Sequence, residues 1–269
     1  MKETGTFNYA DERFADLQML RYRLPQFEKF SIQQKKYIYY LSQATLCGRD
    51  ITTDQFGKYN LRIRKTLETL YTELDERADK ENYDKLALYL KRVWFSNGIY
   101  HHYANDKIRP DFSETFFRDA VKQMPVEKLP MDGYNSVEEL CDELCPVMFD
   151  PEILPKRVNK ADGVDLVKTS ACNYYEGVSQ QEVEDFYNEK KAAAGDKSPS
   201  WGLNSKLVRG DKGLEEKVWK ENGAYGEAIR HIIYWLDKAK GVAENQQQQR
   251  VIDLLIGYYR TGICLTNIR

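Results

Sequence analysis

Apolar residues recur three and four positions apart along most of this chain, and several of those stretches open on a serine followed three residues later by Gln or Glu. Both features belong to amphipathic helices. The spacing gathers one apolar stripe on one face, and the Ser-x-x-Gln/Glu pair satisfies amide groups left free in the first turn. SIQQKKYIYYLSQATLCG (31–48) pairs Ser31 with Gln34, stops at Gly48, and is expected to turn Ile38, Leu41 and Thr45 inward. DERFADLQMLRY (11–22) sets Phe14, Leu17 and Leu20 three apart, which also predicts a helix. Residues 52–78 carry one stripe of Phe56, Ile63, Leu67, Leu70 and Leu74, and residues 81–98 another of Leu86, Leu90 and Val93, ended by Asn97-Gly98. Further capping pairs stand at Ser136/Glu139 and Ser179/Glu182.

The texture changes near Pro155. VDLVKTSACNYYEG (164–177) is richer in β-branched and aromatic residues and reads as a strand leading into the Ser179 helix. LNSKLVRGDKGLEEKVWKENG (203–223) has two extended runs about Asp211-Lys212-Gly213, a hairpin signal, and AAAGDKSPSWG (192–202) reads as a loop. Two long helices follow, one with Ile229, Ile232, Ile233, Leu236 and Ala239 inward, the other with Val251, Leu254, Leu255 and Tyr258. The fold class is therefore mainly α with a small β element. Its expected parts are a helical region 1–154 containing the loop 93–110, a mixed region 155–223, paired helices 224–262 and a tail 263–269.

With 42% hydrophobic residues the chain can build a core, and 40 Lys+Arg against 42 Asp+Glu leave a net charge of −2. That balance points to no nucleic-acid partner and no anionic membrane surface. No apolar run reaches the roughly 20 residues a bilayer span needs. The opening MKETGTFNYADERF lacks the apolar core of a signal peptide, so a cytoplasmic protein is expected, or an exported one if a leader has been removed.

Chemistry is hard to find. There is no H-E-x-x-H, G-x-S-x-G, P-loop or G-x-G-x-x-G. His101 and His102 are adjacent and point apart on any regular element, so they do not readily chelate one ion. His231 with Glu227 four residues before it fits a helix-surface contact. Five cysteines at irregular spacing argue against a disulfide framework, and Cys141 and Cys145, one helical turn apart, read as small core residues. Trp94 and Phe95 read as core. No catalytic residue and no metal ligand is expected in this chain; Cys-His chemistry is the remaining enzymatic alternative.

VWFSNGIYHHYANDKIRP (93–110) resembles the N-terminal part of the dipeptidyl peptidase III family of zinc metallopeptidases, bacterial members above all. Three other segments are similar to that family in the same order: FSIQQKKYIYYLSQATLCGRDI, NYYEGVSQQEVEDFYNEK, and the helical pair from Tyr225 to Gly262. The resemblance implies the N-terminal lobe of a two-lobed peptidase, one wall of a wide cleft. Full-length members release dipeptides from the N-terminus of oligopeptides, with zinc held on motifs that lie beyond the matched part. It also implies that Tyr103 lines a subsite for an apolar substrate side chain, with Asn97, Asn105 and His101 as polar members of the same substrate-facing loop. The expected partners are an oligopeptide in the full-length form, and either the missing C-terminal half or a second copy of the chain at the exposed seam. ICLTNIR (263–269) matches nothing in the family and is expected to mark a truncated or frame-broken gene. The alternative function is a stand-alone module binding peptide or protein without catalysis.

Overall fold

The computed structural model describes residues 7–195 and 201–263; Cys264 and the rest of the tail, and residues 196–200 of the expected loop, lie outside the described residues. Strands β1 (Ala10–Phe14) and β2 (Leu17–Leu20) form an antiparallel hairpin where a helix was expected. The spacing misled for a physical reason. Three positions strictly three apart drift off a 3.6-residue stripe, and a helix this short is marginal unless its face is buried. Here Ala15 turns the chain at φ 47°, and the hairpin lies along a later helix through Phe14 against Phe95, with ion pairs from Glu12 to Lys91 and Asp16 to Arg92.

Helix α1 (Ile32–Cys47) has the full reciprocal cap between Ser31 and Gln34. Its inward face differs from the expected one: Ala44 is buried, Tyr37 and Leu41 pack beside it, and Ile38 and Thr45 are exposed. Aromatics decide the rotation, since Tyr40 stacks on Trp235 with ring centres 5.9 Å apart. The expected single stripe 52–78 is two helices, α2 (Arg49–Phe56) and α3 (Asn60–Glu73), parted at Gly57. Helix α4 (Lys80–Ser96) follows, then α5 (Glu114–Lys122) and α6 (Val137–Phe149). Ile63, Leu67 and Leu70 of α3 and Leu86, Leu90 and Val93 of α4 are fully enclosed with Phe117, Leu140 and Leu144 in the largest apolar core. Each such side chain contributes roughly 1.5–3 kcal/mol on burial. Cys141 and Cys145 are buried there too; the hydrogen bond between them and burial raise the Cys145 thiol far above its ordinary value.

Most of the strand expected over 164–177 is not one. Asp165 caps a single helical turn, α7 (Leu166–Thr169), by accepting from the amides of Val167 and Lys168, and only β3 (Tyr175–Glu176) is extended and paired. Helix α8 (Gln180–Ala194) opens on the Ser179/Glu182 cap. The hairpin of β4 (Ser205–Gly210) and β5 (Gly213–Val218) turns where expected, and β4 also pairs with β3 in parallel, giving the order β3-β4-β5.

Helix α9 (Gly226–Lys240) buries all five residues of its expected stripe. Helix α10 (Gln246–Thr261) does not: Ile252 and Ile256 are its buried residues, while Val251 and Leu255 are exposed. The buried face is one position, about 100°, from the expected one. It packs with α1 and α9 in a second core, and Lys240–Asp253 at 2.6 Å pins the turn between the two final helices. Among the described residues no helix is long and apolar enough to cross a membrane.

Candidate functional site

The loop after α4 is a tight hairpin in which most backbone amides are bonded. Asn97 caps α4 in the left-handed conformation at φ 53°, and Gly98 at φ 146° donates its amide to the Val93 carbonyl at 3.0 Å. The next amide, of Ile99, donates to Oδ1 of Asn60 at 3.2 Å. Asn60 is enclosed between Gly57 and Gly98: a Cβ on Gly98 would stand 2.0 Å from its Nδ2, and one on Gly57 2.6 Å. Those two glycines let the start of α3 touch the end of α4.

From Ile99 to Ile108 the chain doubles back. Ile108 donates to the Ile99 carbonyl at 2.7 Å and His101 to the Asp106 carbonyl at 2.8 Å. His101 Nδ1 accepts the amides of Tyr103 and Ala104 at 3.2 and 3.1 Å, so its imidazole organises the turn. Asn105, at φ 65°, is held from outside: its Oδ1 accepts from Arg157 Nε, and its carbonyl from the Arg157 amide, both at 2.9 Å. The Arg157 guanidinium in turn lies over the Phe56 ring. Lys107 ties the hairpin base to the carbonyls of Asp150 and Ile153 beyond α6; burial pushes its ammonium down to about 8.

Aromatic rings build the outer face. His102 lies edge-on to Phe95 with centres 4.9 Å apart, stacks on His101 at 4.4 Å and leans on Tyr103 at 4.5 Å. Burial, then the neighbouring His101, lowers the His102 pKa. Tyr103 closes this column and is 83% exposed. A stacked base with a projecting phenol is suited to holding an apolar or aromatic side chain by contact. It does not fit zinc: His101 Nδ1 is already engaged, and among the described residues no three His, Cys, Asp or Glu side chains converge as a metal site.

Of the four expected site residues, His101, Tyr103 and Asn105 share this one turn. Asn97 does not join them. It lines a recess of about 620 Å³ with Arg49, Asp50, Thr53, Arg64, Glu68 and Trp94. Arg64 bridges Asp50 and Glu68 and donates to Thr53, and the Trp94 indole donates to Glu68 at 2.7 Å. Trp94 and Phe95, expected in the core, are thus partly exposed, because the two positions straddle the edge of the α4 stripe. His231 and Glu227 line a neighbouring recess with Asp50, Lys65 and Tyr225.

A polar junction escaped the sequence reading. Asp54 Oδ2 accepts from the Tyr225 hydroxyl and from Asn173 Nδ2, joining α2, the start of α9 and the turn before β3. Burial and the Asp54 carboxylate raise the Tyr225 pKa. Tyr225 stands at φ 59°, an uncommon backbone for a bulky residue. Nothing local marks these three positions, which lie 119 and 171 residues apart along the chain.

No protein-family model matches this chain, and no curated protein does. Among solved structures it is similar to DPP III from Caldithrix abyssi, with a TM-score of 0.52 at 16% identity. The likeness covers 88% of this chain and 32% of that one, so this chain spans about a third of that protein's length. At this identity the likeness is one of fold.

Proposed function

We propose that this chain is the non-catalytic, peptide-facing lobe of a dipeptidyl peptidase III-like zinc exopeptidase. In the full-length form such an enzyme releases dipeptides from the N-terminus of oligopeptides, and the zinc and its ligands belong to the remainder of that enzyme. The observation that carries the reading is the fold likeness to DPP III over 88% of this chain. Two features of the Ile99–Ile108 hairpin support it. Its backbone is bonded at nearly every step, so it can meet a ligand without paying to become ordered. Its one large exposed side chain, Tyr103, rests on stacked rings and offers an aromatic face. Asn105 and His101 then act by holding that face, and Asn97 by ending α4 where the hairpin must start.

The test is titration of a fluorescently labelled oligopeptide with a free amino terminus into the chain, beside a dipeptidyl-naphthylamide assay with added zinc. Saturable binding, weakened about tenfold by Tyr103→Ala, is expected with no naphthylamine release. Identical binding by the variant, or zinc-dependent release by this chain alone, would overturn the reading.

A further inference from the structure

Helices α1 and α9 pack antiparallel. Gln33 and Gln34, at the start of α1, bond to Ala243 and Glu244 just past the end of α9, and midway Tyr40 stacks on Trp235. The outward flank of this pair carries aromatic surface that its own packing does not use. Tyr39 meets the Trp235 indole edge-on at 6.1 Å, and Tyr234 does so at 5.1 Å, while Tyr40 backs the indole at 5.9 Å. Tyr39 is 53% and Tyr234 52% exposed; Tyr40 and Trp235 are half-buried. Among the described residues no side chain of these four makes a hydrogen bond, and all three hydroxyls and the indole N–H reach solvent. The Trp94 indole, by contrast, is bonded to Glu68.

Two cations stand at one end of the rings. Lys36 precedes Tyr39 and Tyr40 by one helical turn, and Lys238 follows Tyr234 and Trp235 by one turn. In an antiparallel pair both positions fall toward the C-terminal end of α9. Both lysines are exposed and neither forms an ion pair; the Lys238 ammonium lies 5.3 Å over the Tyr234 ring. The acids nearby are engaged elsewhere: Glu28 with Lys35, Asp253 with Lys240, and Glu244 with Gln34 and Gln248. Asp237 sits two positions, about 200°, round the helix from Trp235.

These features select a partner chemistry. Tyr39 and Tyr234 stand at 86° and 75° to the indole, so the rings present notches on either side of it and no single flat face for a nucleobase. The row reaches across about one turn, ~9 Å, of a polyproline II helix. Every free polar group on it can donate a hydrogen bond. A proline run answers that demand, since it offers carbonyl acceptors and has no N–H to compete. It is also ordered before binding and has no internal hydrogen bonds to lose. The paired lysines add a preference for negative charge at one end.

We propose that the α1–α9 flank docks a proline-rich segment of a partner protein, its prolines against Tyr39, Trp235 and Tyr234 and an adjoining acidic residue on Lys36 and Lys238. This surface shares no residue with the Ile99–Ile108 hairpin and does not require the peptidase-lobe reading.

Fluorescence anisotropy of a labelled, N-acetylated peptide, a run of prolines ending in two glutamates, titrated with the whole chain tests this. Saturable binding is expected, weakened about tenfold by Tyr39→Ala. Joint Lys36→Glu and Lys238→Glu, or lysines in place of the peptide's glutamates, should each weaken it about fivefold, and combining the two changes should restore it. All three positions are exposed, so the variants are expected to fold, which circular dichroism checks. Tyr103→Ala should leave this binding unchanged, which keeps the result distinct from the peptide test of the hairpin. Absence of saturable binding would overturn the proposal, as would binding indifferent to Tyr39→Ala or to the charge reversals. Tighter binding of an oligouridylate, lost in the same variants, would overturn it in favour of a nucleic acid. A dimer of the chain alone in sedimentation, dissolved by Tyr39→Ala, would overturn it in favour of a second copy.

Discussion

Gly98→Ala is expected to be among the most damaging single methyl additions in this chain. At φ 146° the backbone is one that residues with a Cβ rarely adopt, and such strain is typically worth about 1–3 kcal/mol. The new Cβ would also stand 2.0 Å from Nδ2 and 2.5 Å from Cγ of Asn60. Overpacking of this kind adds about 1–3 kcal/mol. Asn60 cannot simply retreat, since it is 1% exposed and its Oδ1 holds the buried Ile99 amide. Moving it exchanges the clash for an unsatisfied donor at about 1–3 kcal/mol. The expected loss is therefore roughly 3–5 kcal/mol, read as a shift in the urea unfolding midpoint followed by far-UV circular dichroism. Two further variants separate the contributions. Gly57→Ala, with an ordinary extended φ of −176° but a Cβ 2.6 Å from the same Nδ2, should show only the steric part. In an Asn60→Ala background, Gly98→Ala should fall to the backbone part alone. The reasoning is refuted if Gly98→Ala costs under about 1 kcal/mol, or costs the same with and without Asn60.

The orientation of α10 is checked by truncation: Ile256→Ala should destabilise by about 2–4 kcal/mol and Leu255→Ala by under about 1 kcal/mol, the reverse order contradicting the packing. Tyr225→Phe removes the hydroxyl bonded to Asp54, and a loss of about 1.5–3 kcal/mol in urea unfolding is expected, an unchanged midpoint contradicting the junction. Glu182 is held at about 2, chiefly by the Ser179 amide and then by Arg209. Its folded pKa is depressed, so the stability it contributes is present above about 4.5 and is lost as pH falls toward about 2. The melting-temperature gap between the native chain and Glu182→Gln should therefore be open at pH 7 and close across that window; a constant gap would rule the linkage out.

The elements legible in the sequence were those whose determinants lie within one turn of each other. Ser31 with Gln34 and Ser179 with Glu182 cap their helices because donor and acceptor are three residues apart, whatever else the chain does. The β4–β5 turn needed only Asp211-Lys212-Gly213, and the α9 stripe was readable because its aliphatic residues all fall on one face. Where a helix is apolar on two faces, as α10 is at Val251/Leu255 and at Ile252/Ile256, local sequence does not choose between them. Packing against α1 and α9 did. Similarly, β1–β2 took strand form because α4 offered it Phe95 and two cations.

The same division runs through the candidate sites. That a turn-rich aromatic loop follows a helix stop was determined by Asn97-Gly98 and the residues beside it, although the loop starts at Asn97 and not at Val93, since α4 runs on to Ser96. That His101 bonds inward, Tyr103 points out and Asn97 lines a different recess was decided by Asn60, Phe95 and Arg157, none of them predictable as neighbours. The Asp54–Asn173–Tyr225 junction is tertiary altogether. A hydrogen bond needs its partners within about 3 Å, and no short-range pattern carries that information between residues more than a hundred positions apart.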